Sequence, residues 1–197
     1  MIDYLLIFLN YIQLIIDSNY FLALIIYFIF CLVFFSLSLP GGFIIPLASG
    51  LFFGFYIGFL INIISITIGS FTFIIISKYI LKNFFNNYLS KYLDKLNNLI
   101  KKSTYEYLIL IRLVLGVPII IQNLFISSLK ITKVKIFISS IIGFTPYFLF
   151  FTYIGDEISN LIELKSFDIY NIFSKELIII ISIFCLLLFY RILKKNI

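Results

Sequence analysis

The sequence predicts an all-α, polytopic integral membrane protein with two oppositely oriented re-entrant helical hairpins in an inverted-repeat arrangement. The 197-residue chain is 62% hydrophobic and 12% charged, with a mean hydropathy of +1.15, whereas soluble proteins average about 25% charged residues. Residues 18–77 carry no charged side chain. As one straight helix they would reach ~90 Å, about three times the ~30 Å hydrocarbon core of a bilayer. Two prolines and two glycines interrupt this run within residues 40–46, and broken backbone at membrane depth is tolerated only inside protein or along a wet cavity.

The first half of the chain predicts four segments. Asn10 and Gln13 interrupt a short apolar stretch, which favours an interfacial helix over a span. A longer apolar segment crosses once, a short Gly/Pro-punctuated segment is typical of a re-entrant hairpin, and another long segment crosses again. In order, these are an interfacial helix at 1–17 and, within 18–78, a span at 19–37, a re-entrant segment at 40–53 and a span at 55–77.

The second half begins with apolar residues at helical spacing and lysines on the other faces, which predicts an amphipathic helix lying on the membrane surface. The next apolar segment contains Arg112, Gly116 and Pro118, and the missing proline N–H should break its helix. A span, an acidic connector and a last span follow. The predicted order is a surface helix at 83–102, a re-entrant hairpin and span at 105–155, an outer loop at 156–173 and a last span at 174–193, all in one membrane domain.

Charge placement orients these segments, because short cytoplasmic loops accumulate Lys and Arg. If every basic cluster faces the cytoplasm, the segment at 107–129 enters and leaves on that side, whereas the segment at 40–53 enters from outside. Two half-penetrating hairpins of opposite orientation then meet near the midplane, where a binding site is expected. The C-terminus would be cytoplasmic. The basic clusters are residues 78–102, 130–135 and 191–195.

Arg112 is the only charge deep within an apolar segment. A charge at membrane depth costs ~3 kcal/mol or more and indicates a functional site. The planar guanidinium suits a bidentate grip on phosphate or carboxylate. The alternative is that Arg112 lies a turn or two from the cytoplasmic surface, beyond Glu106, and extends its head group towards water. The sequence leaves both interpretations open.

Helix-breaking and polar residues follow Arg112. Pro118 should end a helix near the midplane, beside Gln122 and Asn123, whose amides can donate or accept hydrogen bonds. The alternative is a kinked but continuous helix whose amides bond to neighbouring helices. On the span after the first hairpin, small and polar residues at spacings of three or four share one face, which favours helix packing over pore lining. They are Gly54, Gly58, Asn62, Ser65, Gly69 and Thr72.

The chain offers no constellation for catalysis or metal binding. It contains no His, no Gly-x-Ser-x-Gly and no Cys-x-x-Cys, so we expect no enzyme activity, metal or cofactor. Cys31 and Cys185 both fall in apolar segments and are interpreted as small core residues. The net charge of +6 resides in residues that flank apolar spans, which favours lipid head groups over nucleic acid as partners. Asp156 and Glu157 are expected to be solvated loop charges.

Two motifs surround the predicted breaks. The first comprises Leu39-Pro40-Gly41, Gly50-Leu51-Phe52-Phe53-Gly54, Gly58, Gly69 and Lys78-Tyr79. The second comprises Arg112-Leu113, Gly116-Val117-Pro118, Asn123, Gly143, Pro146 and Tyr153-Ile154-Gly155. Together they span about residues 35–155 and resemble the DedA superfamily, the VTT or SNARE-associated membrane domain, with its bacterial Tvp-like branch looking closest. The resemblance implies opposed re-entrant hairpins and a lipid scramblase or a flippase for polyprenyl-phosphate carriers.

The sequence therefore predicts a multi-pass transporter of the bacterial inner membrane that moves an anionic lipid, a phospholipid or polyprenyl phosphate, between leaflets. A small-solute or ion transporter, and a non-transporting membrane-organising protein, are the alternatives. The expected partners are membrane lipids, through anionic head groups, and a second copy of the chain if it forms homo-oligomers. The predicted substrate-binding residues are Arg112, Pro40, Gly41, Gly42, Pro46, Gly50, Gly116, Pro118 and Asn123, and the predicted helix-packing residues are Gly54, Gly58 and Gly69.

Overall fold

The structure, a computed structural model, describes residues 2–81, 104–114 and 117–164. Every regular element in these ranges is an α-helix, which confirms the predicted all-α class for the described chain. The surface helix predicted at 83–102, the last span at 174–193, the second half of the 156–173 loop and Gly116 lie outside the described residues. The helices are α1 (Ile2–Ser18), α2 (Tyr20–Ser36), α3 (Ile44–Phe53), α4 (Phe55–Ile80), α5 (Thr104–Leu113), α6 (Ile119–Ser128) and α7 (Lys133–Leu164).

Two described helices, α4 and α7, are long and apolar enough to cross a membrane. The end of α1 and the whole of α2 pass the same test together, although they are bent by 109° at Asn19. Helix α2 alone has 17 residues, which correspond to ~25 Å of helix axis. Because of this bend, α1 does not continue along the axis of α2. Helix α1 is therefore a distinct helix and does not lengthen the span.

The first break, residues 37–43, turns the chain between α2 and α3. Ser38 has φ 51° and Gly41 has φ 86°, both in the left-handed region that reverses a helical path. Helix α3 then begins at Ile44, and Pro46 lies in its first turn. An N–H at that position has no partner within the helix, so the proline costs no helical hydrogen bond.

Close backbone contacts hold α3 between α4 and α7. A Cβ atom on Gly50 would overlap the Thr152 carbonyl oxygen, and one on Gly155 would overlap the Leu47 carbonyl oxygen. On the other side, a Cβ on Gly58 would lie 2.8 Å from the Ser49 carbonyl carbon. Only glycine permits helices to approach this closely. The predicted substrate contact at Gly50 is therefore replaced by a packing role.

The other two predicted packing glycines have different roles. A Cβ on Gly69 would lie 2.7 Å from the Phe35 Cβ atom, so this residue allows α4 to contact α2 closely. Gly54 has φ 77° and separates α3 from α4, and a Cβ there would meet Asp156 Oδ1 at 3.6 Å, an ordinary contact. Its backbone conformation, and not helix packing, explains the glycine at position 54.

The two halves of the chain interlock through their short helices. Helix α3, from the first half, packs against α7, whereas α6, from the second half, packs against α4. One buried cluster joins α2, α3, α4 and α7, and a second joins α4 to the three helices of the second half. The members of the first are Cys31, Phe35, Ile45, Ile61, Ile63, Ile66, Phe144 and Phe148, and those of the second are Ile74, Leu108, Ile126 and Ile136.

Helix α7 runs past the end that was predicted for it. The sequence suggested a span ending at Gly155, but the helix continues to Leu164. Asp156 is half-buried, and its Oδ1 accepts a hydrogen bond from the Phe55 N–H at 3.1 Å. The expectation that Asp156 is an ordinary solvated loop charge is therefore wrong, because the first N–H groups of α4 need an acceptor and this carboxylate supplies one.

We expect Gly50→Ala to disrupt the α3–α7 contact, since the new methyl group would meet backbone that cannot rotate away. Overpacking of this kind costs ~3 kcal/mol or more, which should lower the melting temperature by on the order of 10 °C. Gly42→Ala is the matched control, because its Cβ would meet side chains and not backbone: the tip of Ile119 at 3.0 Å and the Phe35 ring at 3.5 Å. Thermal unfolding in detergent measures both. Equal melting temperatures would contradict the packing role.

Asp156→Ala should remove the cap from the first turn of α4 and destabilise the protein by ~1–2 kcal/mol, as loss of a helix N-cap does. Asp156→Asn retains a side-chain oxygen acceptor and should lose less. Glu157→Ala, which removes the neighbouring carboxylate, is the control. An equal fall in melting temperature in Asp156→Ala and Glu157→Ala would show that stability depends on the total charge of this segment and not on the cap.

Candidate functional site

A cavity of about 260 Å³ lies where the first break approaches the segment around Pro118. Its walls are mainly apolar and include one cationic side chain, Arg112. Among the predicted substrate-binding residues, Pro40, Gly41, Gly42, Arg112 and Pro118 line it, and Pro46 and Gly50 do not. The other lining residues are Leu39, Phe43, Val114, Val117, Ile119, Gln122, Phe144, Tyr147 and Phe148.

The second break explains why the chain opens here. Helix α5 ends at Leu113 and α6 begins at Ile119, with Pro118 immediately before it. The helix is therefore interrupted, and the alternative of a kinked but continuous helix is wrong. Gln122 Nε2 donates to the Val117 carbonyl oxygen at 3.0 Å, so a side chain satisfies a backbone acceptor at the break. Such compensation is needed wherever irregular backbone is shielded from water.

Arg112, in the last turn of α5, is 3% exposed. Its Nη1 donates to Asn123 Oδ1 at 2.6 Å, and its Nη2 lies 3.4 Å from Ser140 Oγ. The guanidinium carbon lies 4.6 Å from the centre of the Phe144 ring, within the range of a cation–π contact. Gly143 leaves room for this side chain, because a Cβ there would lie 2.5 Å from the Arg112 Cβ.

The charge of Arg112 is solvated by neutral groups only. Among the described residues no carboxylate pairs with it, and its Nε is buried without a hydrogen-bond partner. A buried cation is stable only when it is paired or well hydrogen-bonded. Arg112 therefore retains both an uncompensated charge and an unused donor. The alternative in which Arg112 extends into water does not fit a side chain that is 3% exposed.

Asn123 connects this cation to the first break. While its Oδ1 accepts from Arg112, its Nδ2 donates to Ser38 Oγ at 2.8 Å. Asn123 is fully buried and does not line the cavity, so its contact is with the cation and not with the cavity space. The arrangement can hold a guanidinium in place beside an apolar cavity. In the described chain, no group of three or more His, Cys, Asp or Glu could hold a metal ion.

Sequence reasoning missed the two serines that contact the Arg112–Asn123 pair, Ser38 and Ser140, and several apolar wall residues, including Phe144, Tyr147 and Phe148. Ser38 and Ser140 were detectable only as polar residues inside apolar segments, a weak signal that many serines share. Gly143 was part of the second motif, but its role in accommodating Arg112 becomes evident only when α5 and α7 are packed together.

Arg112→Met should leave the melting temperature unchanged or raise it by a few degrees. Methionine has a similar length, and its substitution removes a buried charge that has no counter-ion, which offsets the acceptor left unpaired on Asn123. Asn123→Leu, in contrast, leaves the cation without its shortest hydrogen bond and should cost ~3 kcal/mol. Thermal unfolding of the two variants tests this asymmetry. An equal loss of stability in both would indicate that Arg112 has a structural role.

The sequence comparisons agree with this architecture. A family model described as the VTT domain matches residues 39–157. The match begins inside the first break, includes α3 to α6 with Arg112 and Asn123, and ends just after Asp156. No curated protein and no solved structure matches the chain. Because the match covers more than half of the 197 residues and contains most of the first break, the second break and the buried cation, the chain belongs to the VTT-domain family of membrane proteins.

Proposed function

We propose that this protein moves a phosphate-bearing lipid, a phospholipid or polyprenyl phosphate, between the leaflets of a membrane, with Arg112 binding the phosphate. One observation carries the proposal: a buried guanidinium that has no carboxylate partner among the described residues lies at the wall of an apolar cavity between two helix breaks. It is supported by the family, whose helical membrane domain is suited to transport.

An anion would supply what Arg112 lacks. A guanidinium binds phosphate oxygens in a bidentate manner, and its Nε is an unused donor in the described structure. Away from water, such a charge-assisted contact is stronger than at a protein surface. The anion would also neutralise a buried positive charge, whereas a cation would be repelled. The site therefore favours anionic over neutral or cationic substrates.

The size and lining of the cavity favour a head group over a whole lipid. A volume of about 260 Å³ accommodates a phosphate with a few attached heavy atoms but not acyl or prenyl chains. The chains would remain in the bilayer, beside apolar wall residues such as Leu39, Phe43 and Val114. Only the polar head group then needs a path shielded from the hydrocarbon core, because its transfer into the core costs the most free energy.

The proposed membrane arrangement is two re-entrant segments of opposite orientation. Helices α3 and α6 have 10 residues each, or ~15 Å of helix, about half of a ~30 Å core. Each packs against the long helix of the opposite half, as expected of two hairpins that enter from opposite sides. We place the protein in a bacterial inner membrane with a cytoplasmic C-terminus, acting as a transporter and not as an enzyme, with anionic head groups and no nucleic acid as partners.

The test is transbilayer exchange of labelled phospholipid, with labelled polyprenyl phosphate in parallel, in vesicles reconstituted with purified protein. Arg112→Met should reduce exchange to the protein-free level, because the phosphate loses its only buried cation among the described cavity residues. Arg112→Lys should retain a small part of the rate, since an ammonium cannot form the planar two-point contact.

Lys78→Met is the matched control. It removes a cation that bonds the Leu129 carbonyl and lies outside the cavity, and it should leave exchange near the wild-type rate. Full activity in Arg112→Met would remove Arg112 from the mechanism. If folded wild-type protein exchanges neither lipid but admits small solutes, the solute-transporter alternative is correct, and if it does neither, a membrane-organising role is favoured.

A further inference from the structure

Ser38 occupies an unusual position in the first break. It is 1% exposed and has φ 51°, the only positive φ of a non-glycine residue in the described chain. A left-handed conformation costs a residue with a Cβ of order 1 kcal/mol, and glycine adopts it freely. Three residues later Gly41 has φ 86° and is glycine. The side chain of Ser38 therefore offers something that glycine lacks.

That contribution is a hydroxyl that joins the two halves of the chain. Ser38 Oγ accepts from Asn123 Nδ2 at 2.8 Å and donates towards the Phe35 carbonyl oxygen at 3.4 Å. In the short contact at 2.8 Å, the hydroxyl oxygen is the acceptor and the Asn123 amide is the donor. The Asn123 amide must then turn its NH₂ group to Ser38 and its Oδ1 to Arg112, where Oδ1 accepts from Nη1 at 2.6 Å.

The direction of this amide decides how Arg112 is held. A rotated Asn123 would present its NH₂ donors to a guanidinium, which also has only donors. Arg112 would then lose its shortest hydrogen bond, and its other polar contact, with Ser140, is long at 3.4 Å. In the described part of the molecule, Ser38 Oγ is the only side-chain group that is hydrogen-bonded to Asn123 Nδ2.

We propose that Ser38 is a positioning residue for Arg112. By orienting the Asn123 amide, it holds the guanidinium at the cavity wall in the geometry that binds the phosphate, a role that rests on the proposed function. Ser38 need not touch the lipid. Ser38 acts on Arg112 through the Asn123 amide. The position of the Arg112 guanidinium on α5 therefore depends on the conformation of the first break.

The first experiment uses Ser38→Gly, which removes the hydroxyl but suits the backbone conformation better than serine does. Folding should therefore be preserved, with a melting temperature equal to or above that of the wild type. Lipid exchange should fall ~3- to 10-fold, the loss expected when one hydrogen bond that orients a binding group is removed. Ser139→Ala is the control, since Ser139 is equally buried but, within the described chain, bonds only the Ile136 carbonyl of its own helix.

A second readout is independent of transport. The chain contains two arginines, Arg112 and Arg191, so ¹⁵N-arginine labelling gives two Nε–H signals, and the one lost in Arg112→Met identifies Arg112. Ser38→Gly should shift or broaden this signal, and Ser139→Ala should not. In an Asn123→Asp background the symmetrical carboxylate presents an oxygen in either orientation, so adding Ser38→Gly should no longer change the signal.

The outcomes separate this inference from the proposed function. A wild-type exchange rate in Ser38→Gly would overturn the positioning role for transport, whatever the arginine signal shows. An unchanged Arg112 signal in Ser38→Gly, or an equal shift in Ser139→Ala, would overturn the proposed contact itself. If the wild-type protein exchanges no lipid, the proposed function fails, and the arginine signals alone then decide whether Ser38 positions Arg112.

Discussion

The backbone contact between α3 and α7 is the constraint on which the rest of the structure depends. Two glycines, Gly50 and Gly155, each lie against a carbonyl group of the opposite helix. In a bilayer, where burial of apolar surface contributes little to helix association, such close packing is a principal source of stability. The contact holds a helix of 10 residues beside one that is long enough to span. It also fixes the first break above Phe144 and Phe148, and so beside Arg112.

Two helix interruptions in the described chain have local compensation. The carbonyl before Pro118 is satisfied by the Gln122 amide, and the start of α4 is capped by Asp156. These bonds contribute more to stability here than in a soluble protein, because a backbone group without a protein partner cannot hydrogen-bond to water within a bilayer. The breaks are therefore defined structural elements. The cavity lies between the first and second breaks.

The cavity combines an apolar lining with one costly charge. Arg112 is held by an amide, a hydroxyl and an aromatic ring, and by no carboxylate among the described residues. A protein that needed only stability would place an apolar side chain there. Retention of an incompletely compensated cation therefore supports the proposal that Arg112 has a functional role. The neutral protein groups around Arg112 also leave its guanidinium free to bind an anion, since a fixed carboxylate would compete with that anion.

The class of protein, the positions of α2 and α4 and the interruption at Pro118 can be predicted from sequence alone, whereas α7 extends beyond its predicted end. The predicted features follow from local chemistry, namely apolar length and the missing N–H of proline. The sequence also identified Arg112, because a charge within an apolar segment is evident without knowledge of its neighbours. The VTT-domain match over residues 39–157 confirms the family that the motifs resembled.

Which residues contact one another depends on how the helices pack, and this is evident only from the folded structure. Gly50 proved to be a packing residue, Asp156 caps a helix 101 positions away, and Ser38 bonds Asn123 across 85 positions. A glycine at a turn, a glycine at a helix crossing and a glycine at a cavity wall are identical in sequence. Their roles differ because of the partner that each one faces, and that partner is set by how the two halves pack together.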